Sequence, residues 1–350
     1  MGHKIGGCGV TWNREDGVRG AGPASAGGTM EVACDESGSD GENLLAGNTD
    51  VFAHGSVRLS VESAAGCVRE IRDRIRSPAV EYKANQLLRE KHRAVLEWFL
   101  APAGPIHGHA HVLLVEKAFF VVDRTVDLLL DDRSAALALF RAGPLVFGRE
   151  RWREFLTASN QLLRVRGGGE PDESADGFFR AVDALGHTES PAEVSETLAR
   201  LAAARPAADA YRARIAADGF SLIPVLNPLL SAVVMTAAHW SAGSESPVQL
   251  VHDRQNMLTP DRIDWITETA RRSGAHFGGL RLVEARLDPR VMLADLLAGI
   301  ARKISSDELN GHGDATLTAL LRPYVGAASV WGDARSWARL GAPTGPAQRS

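Results

Sequence analysis

Four carboxylates, far apart in the chain, occupy positions from which they could act together. Asp35 ends the apolar run 30–35 (MEVACD), and Asp253 ends a second, 248–253 (VQLVHD). Both runs read as strands, and the mouth of a strand is where an α/β sheet presents its chemistry. Glu81, in VEYKAN, opens a helix-forming stretch and has Lys83 two residues on. Asp295 is the only ionisable group between Val291 and Ala301, in RVMLADLLAGIARKI. A helix apolar nearly all round is buried, and a buried carboxylate needs a cation or a hydrogen-bond donor. Arg302, further along the same helix, is one candidate partner. Taken singly, Asp35 and Asp253 are good turn residues, and the helix dipole accounts for Glu81. If the two strands are neighbours, the four form one acidic cluster. Clustered carboxylates repel, and divalent cations relieve that repulsion. Oxygen-only donors favour Mg2+ or Mn2+. Two such ions about 3.5–4 Å apart activate water and stabilise the leaving oxygen of a phosphodiester.

Those acids need a scaffold. Residues 30–35 and 51–61 read as strands joined by a Gly-, Asn- and Asp-rich loop. Val68, Ile71 and Ile75 predict a helix over 63–76, and Leu87, Leu88, Val95, Leu96 and Phe99 predict another over 81–100. A strand at 111–115 and a helix at 118–130 follow. From 131 to 246 Ala and Arg dominate and strand-like runs disappear. This region reads as a large α-helical insertion, with Ser190-Pro191-Ala192-Glu193 as a capping box. Strand 248–253, helix 260–271, strand 279–287 and the apolar helix 290–304 come next. The organisation expected is a flexible Gly-rich leader (1–29), two parts of a core (30–130 and 247–310) around the insertion (131–246), and a C-terminal tail (311–350). Such a pattern argues an α/β layer fold. Residues 222–240 lack Asp, Glu, Lys and Arg. Asn227-Pro228 starts a helix there that is too short to cross a bilayer of ~30 Å.

Three short motifs carry a resemblance: D-E-S-G at residues 35–38, E-x-K at residues 81–83, and L-A-D-L-L-A-G at residues 293–299. Together they resemble a large uncharacterised bacterial domain-of-unknown-function family, with D-E near its start and Q-L-A-D near its end. That family is grouped with the ribonuclease H-like folds. The resemblance covers roughly residues 30–304, the helical region being an insertion. It implies a ribonuclease H-like mixed sheet with flanking helices. It also implies metal-binding, catalytic carboxylates: Asp35 on the first strand, Glu81 at or before the first helix, Asp253 ending the fourth strand and Asp295 on the last helix. Glu36 and Lys83 belong to the family motifs. Met292 stands where the family has Gln. The implied activity is a metal-dependent nuclease hydrolysing DNA or RNA with Mg2+ or Mn2+. The alternative is a catalytically silent member that binds nucleic acid or a partner protein.

Composition bounds these readings. The 350 residues are 45% hydrophobic and 23% charged, enough for a sizeable core. With 43 acidic against 39 basic residues, a broadly basic nucleic-acid coat is excluded. A local basic patch is not: Arg69, Arg72 and Arg76 share one helix face and, with Lys83, could contact phosphates. Cys8, Cys34 and Cys67 make no disulfide framework or zinc spacing, so a reducing cytoplasm is expected. His107, His109 and His111 alternate and would face one way on an extended segment, which could bind a transition metal.

Overall fold

The computed structural model describes residues 28–76, 83–165, 171–218 and 223–341. Glu81 and nearly all of the expected leader lie outside the described residues. Five strands form one mixed sheet: β1 (Met30–Ser37), β2 (Val51–Val57), β3 (Ala110–Glu116), β4 (Val248–Asp253) and β5 (Phe277–Val283), in the order β3-β2-β1-β4-β5. The first three strands pair antiparallel. β4 runs parallel to β1, and β5 parallel to β4. β1 is the middle strand and is covered on both faces, which is why VAC reads as an unbroken apolar run.

Helices cover both faces. Between β2 and β3 lie α1 (Val61–Ile75), α2 (Ala84–Leu87) and α3 (Arg93–Leu100). Between β3 and β4 lie α4 (Lys117–Leu130), α5 (Arg133–Val146), α6 (Arg149–Leu163), α7 (Pro171–Gly186), α8 (Ala192–Ala203), α9 (Arg205–Asp218) and α10 (Pro228–Ser241). Then come α11 (Pro260–Arg272), α12 (Pro289–Leu309), α13 (Ala315–Leu321) and α14 (Ala334–Leu340). On one face Ala53, Val112 and Leu114 pack with Ile71, Phe99, Leu293, Leu297 and Ile300. On the other, Val32, Phe52, Leu113 and Leu250 share a core with Val122, Phe155, Phe178, Leu198 and Val233. The helical stretch after β3 is therefore continuous with the sheet's own core.

Several elements differ from their sequence patterns. The helix expected over 81–100 is broken into α2, a 3-10 turn at Glu90–His92 and α3. At ~3.6 residues per turn an unbroken helix would set Leu87 and Leu96 on opposite sides; the break lets both be buried. The capping box at Ser190 does not form: α8 begins at Ala192 with extended Pro191 before it, and the Ser190 hydroxyl meets that of Ser195. Asn227 does cap α10, accepting a bond from the Leu229 amide at 2.9 Å. The strand expected over 279–287 is displaced to Phe277–Val283, and a 3-10 turn follows it. The segment after Gly311, weakly patterned in sequence, forms α13 and α14 and bridges β3 at Val112–Val325 and Val115–Val330. Among the described residues, no helix is long and apolar enough to cross a membrane.

Candidate metal centre

β1 and β4 are parallel neighbours, so their C-terminal ends, with Asp35 and Asp253, lie at the same edge of the sheet. Strand alternation sorts the side chains. Asp35 pairs with Gly55, and Gly55 lies against Ala294 and Ala298 of α12. Glu36 pairs with His54, whose Nδ1 is 2.9 Å from Thr236 Oγ1 on α10. Asp35 thus points toward α12 and Glu36 toward α10. Across β4, Cys34 pairs with His252. His252 therefore shares the Glu36 side, and Asp253 the Asp35 side. Gly38, the residue after β1, has a left-handed φ of 88°, and a Cβ there would run into the Val51 carbonyl. That requirement accounts for the glycine of D-E-S-G.

Asp35 is 7% exposed and accepts a bond from the Glu36 amide at 2.8 Å. Burial, then the charges of Glu36, Asp295 and Asp253, push its pKa up to about 9 against that one bond. Without a cation, the carboxyl is held protonated at neutral pH. Asp295 is not sealed in the core: its side chain is 19% exposed, and Oδ2 accepts from Lys83 Nζ at 2.9 Å. Its partner is Lys83 rather than Arg302, whose Nε donates to Ser37 Oγ at 3.0 Å. Lys83, expected to contact substrate, reaches the acids because Ala84 of α2 packs on Gly299 of α12, a contact with no room for a Cβ. Asp253 accepts from the Ala285 amide at 2.8 Å. Of the four acids expected to meet, Asp253 and Asp295 lie near enough for their charges to act on Asp35, but neither joins the donor group that Asp35 forms among the described residues, and Glu81 lies outside the described residues.

Three further residues complete the site, and the sequence reading gave none of them a role. Gln255 Nε2 donates to Glu36 Oε1. His252 Nε2 lies 3.6 Å from Glu36 Oε2. One donor atom from each of Asp35, Glu36 and His252 falls within 4.8 Å of the others. The available signal was alternation within VQLVHD and DES, which places His252 and Glu36 on one side once the strands are known to be parallel. The donor chemistry fits a cation, because other acids stand near a buried carboxyl that burial and repulsion leave neutral.

Other expected features fall elsewhere. Arg69 and Arg72 are exposed on α1, which packs on α12, and Arg76, also exposed, is the left-handed residue that ends the helix rather than part of the same helix face. The three histidines share no face. His107 sits in a turn edge-on to Tyr324, and only His111 is in a strand, stacked on His239 with ring centres 3.7 Å apart. His111 and His239 line a cleft of about 790 Å³ that contains none of the clustered acids. Comparison with protein-family models, curated proteins and solved structures yields no match for the chain.

Proposed function

We propose that this chain is a ribonuclease H-like, metal-dependent phosphodiesterase acting on nucleic acid. The reading is carried by one observation: the buried Asp35 carboxyl, at the C-terminal end of the central strand, feels the charges of Glu36, Asp295 and Asp253. A five-stranded mixed sheet with one aspartate on β1, one ending β4 and one on the long helix α12 is the arrangement that the D-E-S-G and L-A-D resemblance implies. Asp35, Asp253 and Asp295 would hold Mg2+ or Mn2+, with Glu81 as a fourth ligand. A bound ion would activate water and stabilise the leaving oxygen. Exposed Arg69 and Arg72 on α1, with Arg76 just past its end, would meet backbone phosphates. Helices α5–α10 would shape the substrate groove. The alternative is a silent binder of nucleic acid or protein, and the Lys83–Asp295 ion pair favours it, since an ammonium already neutralises one acid.

The test is cleavage of single-stranded and duplex DNA, RNA and hybrids with Mn2+ or Mg2+, comparing the wild type with Asp35→Asn and Asp295→Asn. Metal-dependent cleavage that falls about 100-fold or more in both variants is expected. Binding without cleavage in the wild type supports the silent reading. Cleavage surviving in both variants places the chemistry elsewhere.

A further inference from the structure

The backbone beside His252 fixes which of its ring nitrogens presents a lone pair. Nδ1 lies 2.9 Å from the Asp253 carbonyl oxygen. A carbonyl only accepts, so Nδ1 carries the proton, and Nε2 of the neutral ring is an acceptor. It faces Glu36 Oε2 at 3.6 Å, which is also an acceptor when ionised. His252 is 0% exposed, and among the described residues neither facing atom has a hydrogen-bond partner. Two buried acceptors turned toward each other are costly unless something positive lies between them. Their separation suits a metal ion: bonds of about 2.1 Å in tetrahedral geometry set donor atoms about 3.4 Å apart. Asp35 offers a third donor atom in reach. Gln255 ties down the other oxygen of Glu36, which is how a neighbouring group orients a ligating carboxylate.

The geometry points to a cation site formed by His252 Nε2, Glu36 and Asp35 that takes a transition ion, with Zn2+ as its probe, in preference to Mg2+. Imidazole suits zinc and iron, whereas Mg2+ is held by oxygen. The site shares Asp35 with the phosphodiesterase reading, but it does not depend on hydrolysis. A proton on Nε2 would satisfy the same pair of atoms, so the site must be tested by metal binding itself.

The full chain, freed of metal with a chelator that is then removed, is titrated calorimetrically with Zn2+ and with Mg2+, each alone. The wild type is expected to bind Zn2+ more tightly than Mg2+. His252→Gln and Glu36→Gln should each weaken Zn2+ by about tenfold or more. His252→Gln should leave Mg2+ binding within about threefold, because Mg2+ selects oxygen. Should a variant fail to fold, the histidine nitrogen NMR spectrum of the wild type decides: Zn2+ must shift one buried Nε2 lone-pair resonance. Equal affinities for the two ions, unchanged Zn2+ binding in folded His252→Gln, or no Nε2 response overturns the site. Zn2+ binding without cleavage of any nucleic acid removes the phosphodiesterase and leaves this site. Cleavage with Mg2+, together with Zn2+ binding indifferent to His252, does the reverse.

Discussion

Gln255 enters the cluster through its hydrogen bond to Glu36, and the position of Glu36 depends on it. Its Nε2 donates to Oε1 and leaves Oε2 turned to His252. A carboxylate without that bond would rotate about its terminal torsion, which has only broad preferences. Gln255→Ala is therefore expected to weaken divalent-ion binding about tenfold, at the lower end of the range for groups that orient a ligand. Far-ultraviolet circular dichroism should be unchanged, and calorimetric titration of the folded variant reads the effect. An unaltered affinity would show that Glu36 is held by its own backbone. Asp35, Asp253 and Asp295 were legible in sequence because the first two end apolar runs and the third interrupts the middle of one. Glu36 and His252 were not, because their meeting depends on the parallel register of β1 and β4, which no local pattern records.

Between β2 and α12 the fold depends on small residues. A Cβ at Gly55 would sit 2.7 Å from the Ala294 carbonyl and 3.1 Å from the Ala298 amide, both backbone atoms that cannot move cheaply. The helix consequently lies close over the sheet, which brings Asp295 near Asp35. Gly55→Ala should destabilise the protein by about 1–3 kcal/mol, the usual cost of overpacking, and should lower any metal-dependent activity by lifting Asp295 away. Urea unfolding with an unchanged m-value measures the first effect. A variant as stable as wild type would mean that α12 slides freely on β2. Ala294, Ala298 and Gly299 are all small, and the structure shows β2 approaching the first two and α2 the third. The break in the 81–100 helix was harder to see. Its apolar residues satisfy a helical count locally, and only burial of both Leu87 and Leu96 demands the change of phase.

The two helical layers are joined at the outer edge of β3 by the segment after Gly311. Val330 belongs to the core on one face, while Tyr324, Val325 and Trp331 belong to the core on the other. Glu116, ending β3, holds this segment in place. Its Oε2 accepts from the Gly332 and Asp333 amides at 2.8 and 2.9 Å, and its own amide donates to the Val330 carbonyl at 2.9 Å. Burial outweighs the two accepted bonds and, with the charges of Asp333 and Asp50, pushes the Glu116 pKa up to about 7. A carboxyl raised in this way keeps its proton in the folded state after the unfolded chain has released it. The folded state then binds more protons than the unfolded one from about pH 4.5 to about pH 7, so the Glu116 contribution falls as pH rises through that window and is constant above it. Buried His54 and His111, whose pKa values burial lowers, act in the opposite sense below the ordinary histidine value. The total pH profile therefore mixes the two, and only a difference isolates Glu116. Glu116→Gln keeps an acceptor for both amides and cannot titrate. Between pH 5 and pH 8 the stability of Glu116→Gln relative to wild type should rise by roughly 2 kcal/mol, read by urea unfolding at each pH. A relative stability that stays flat would mean the acid at the junction of the two layers is ionised throughout, and that its two amide bonds outweigh its burial.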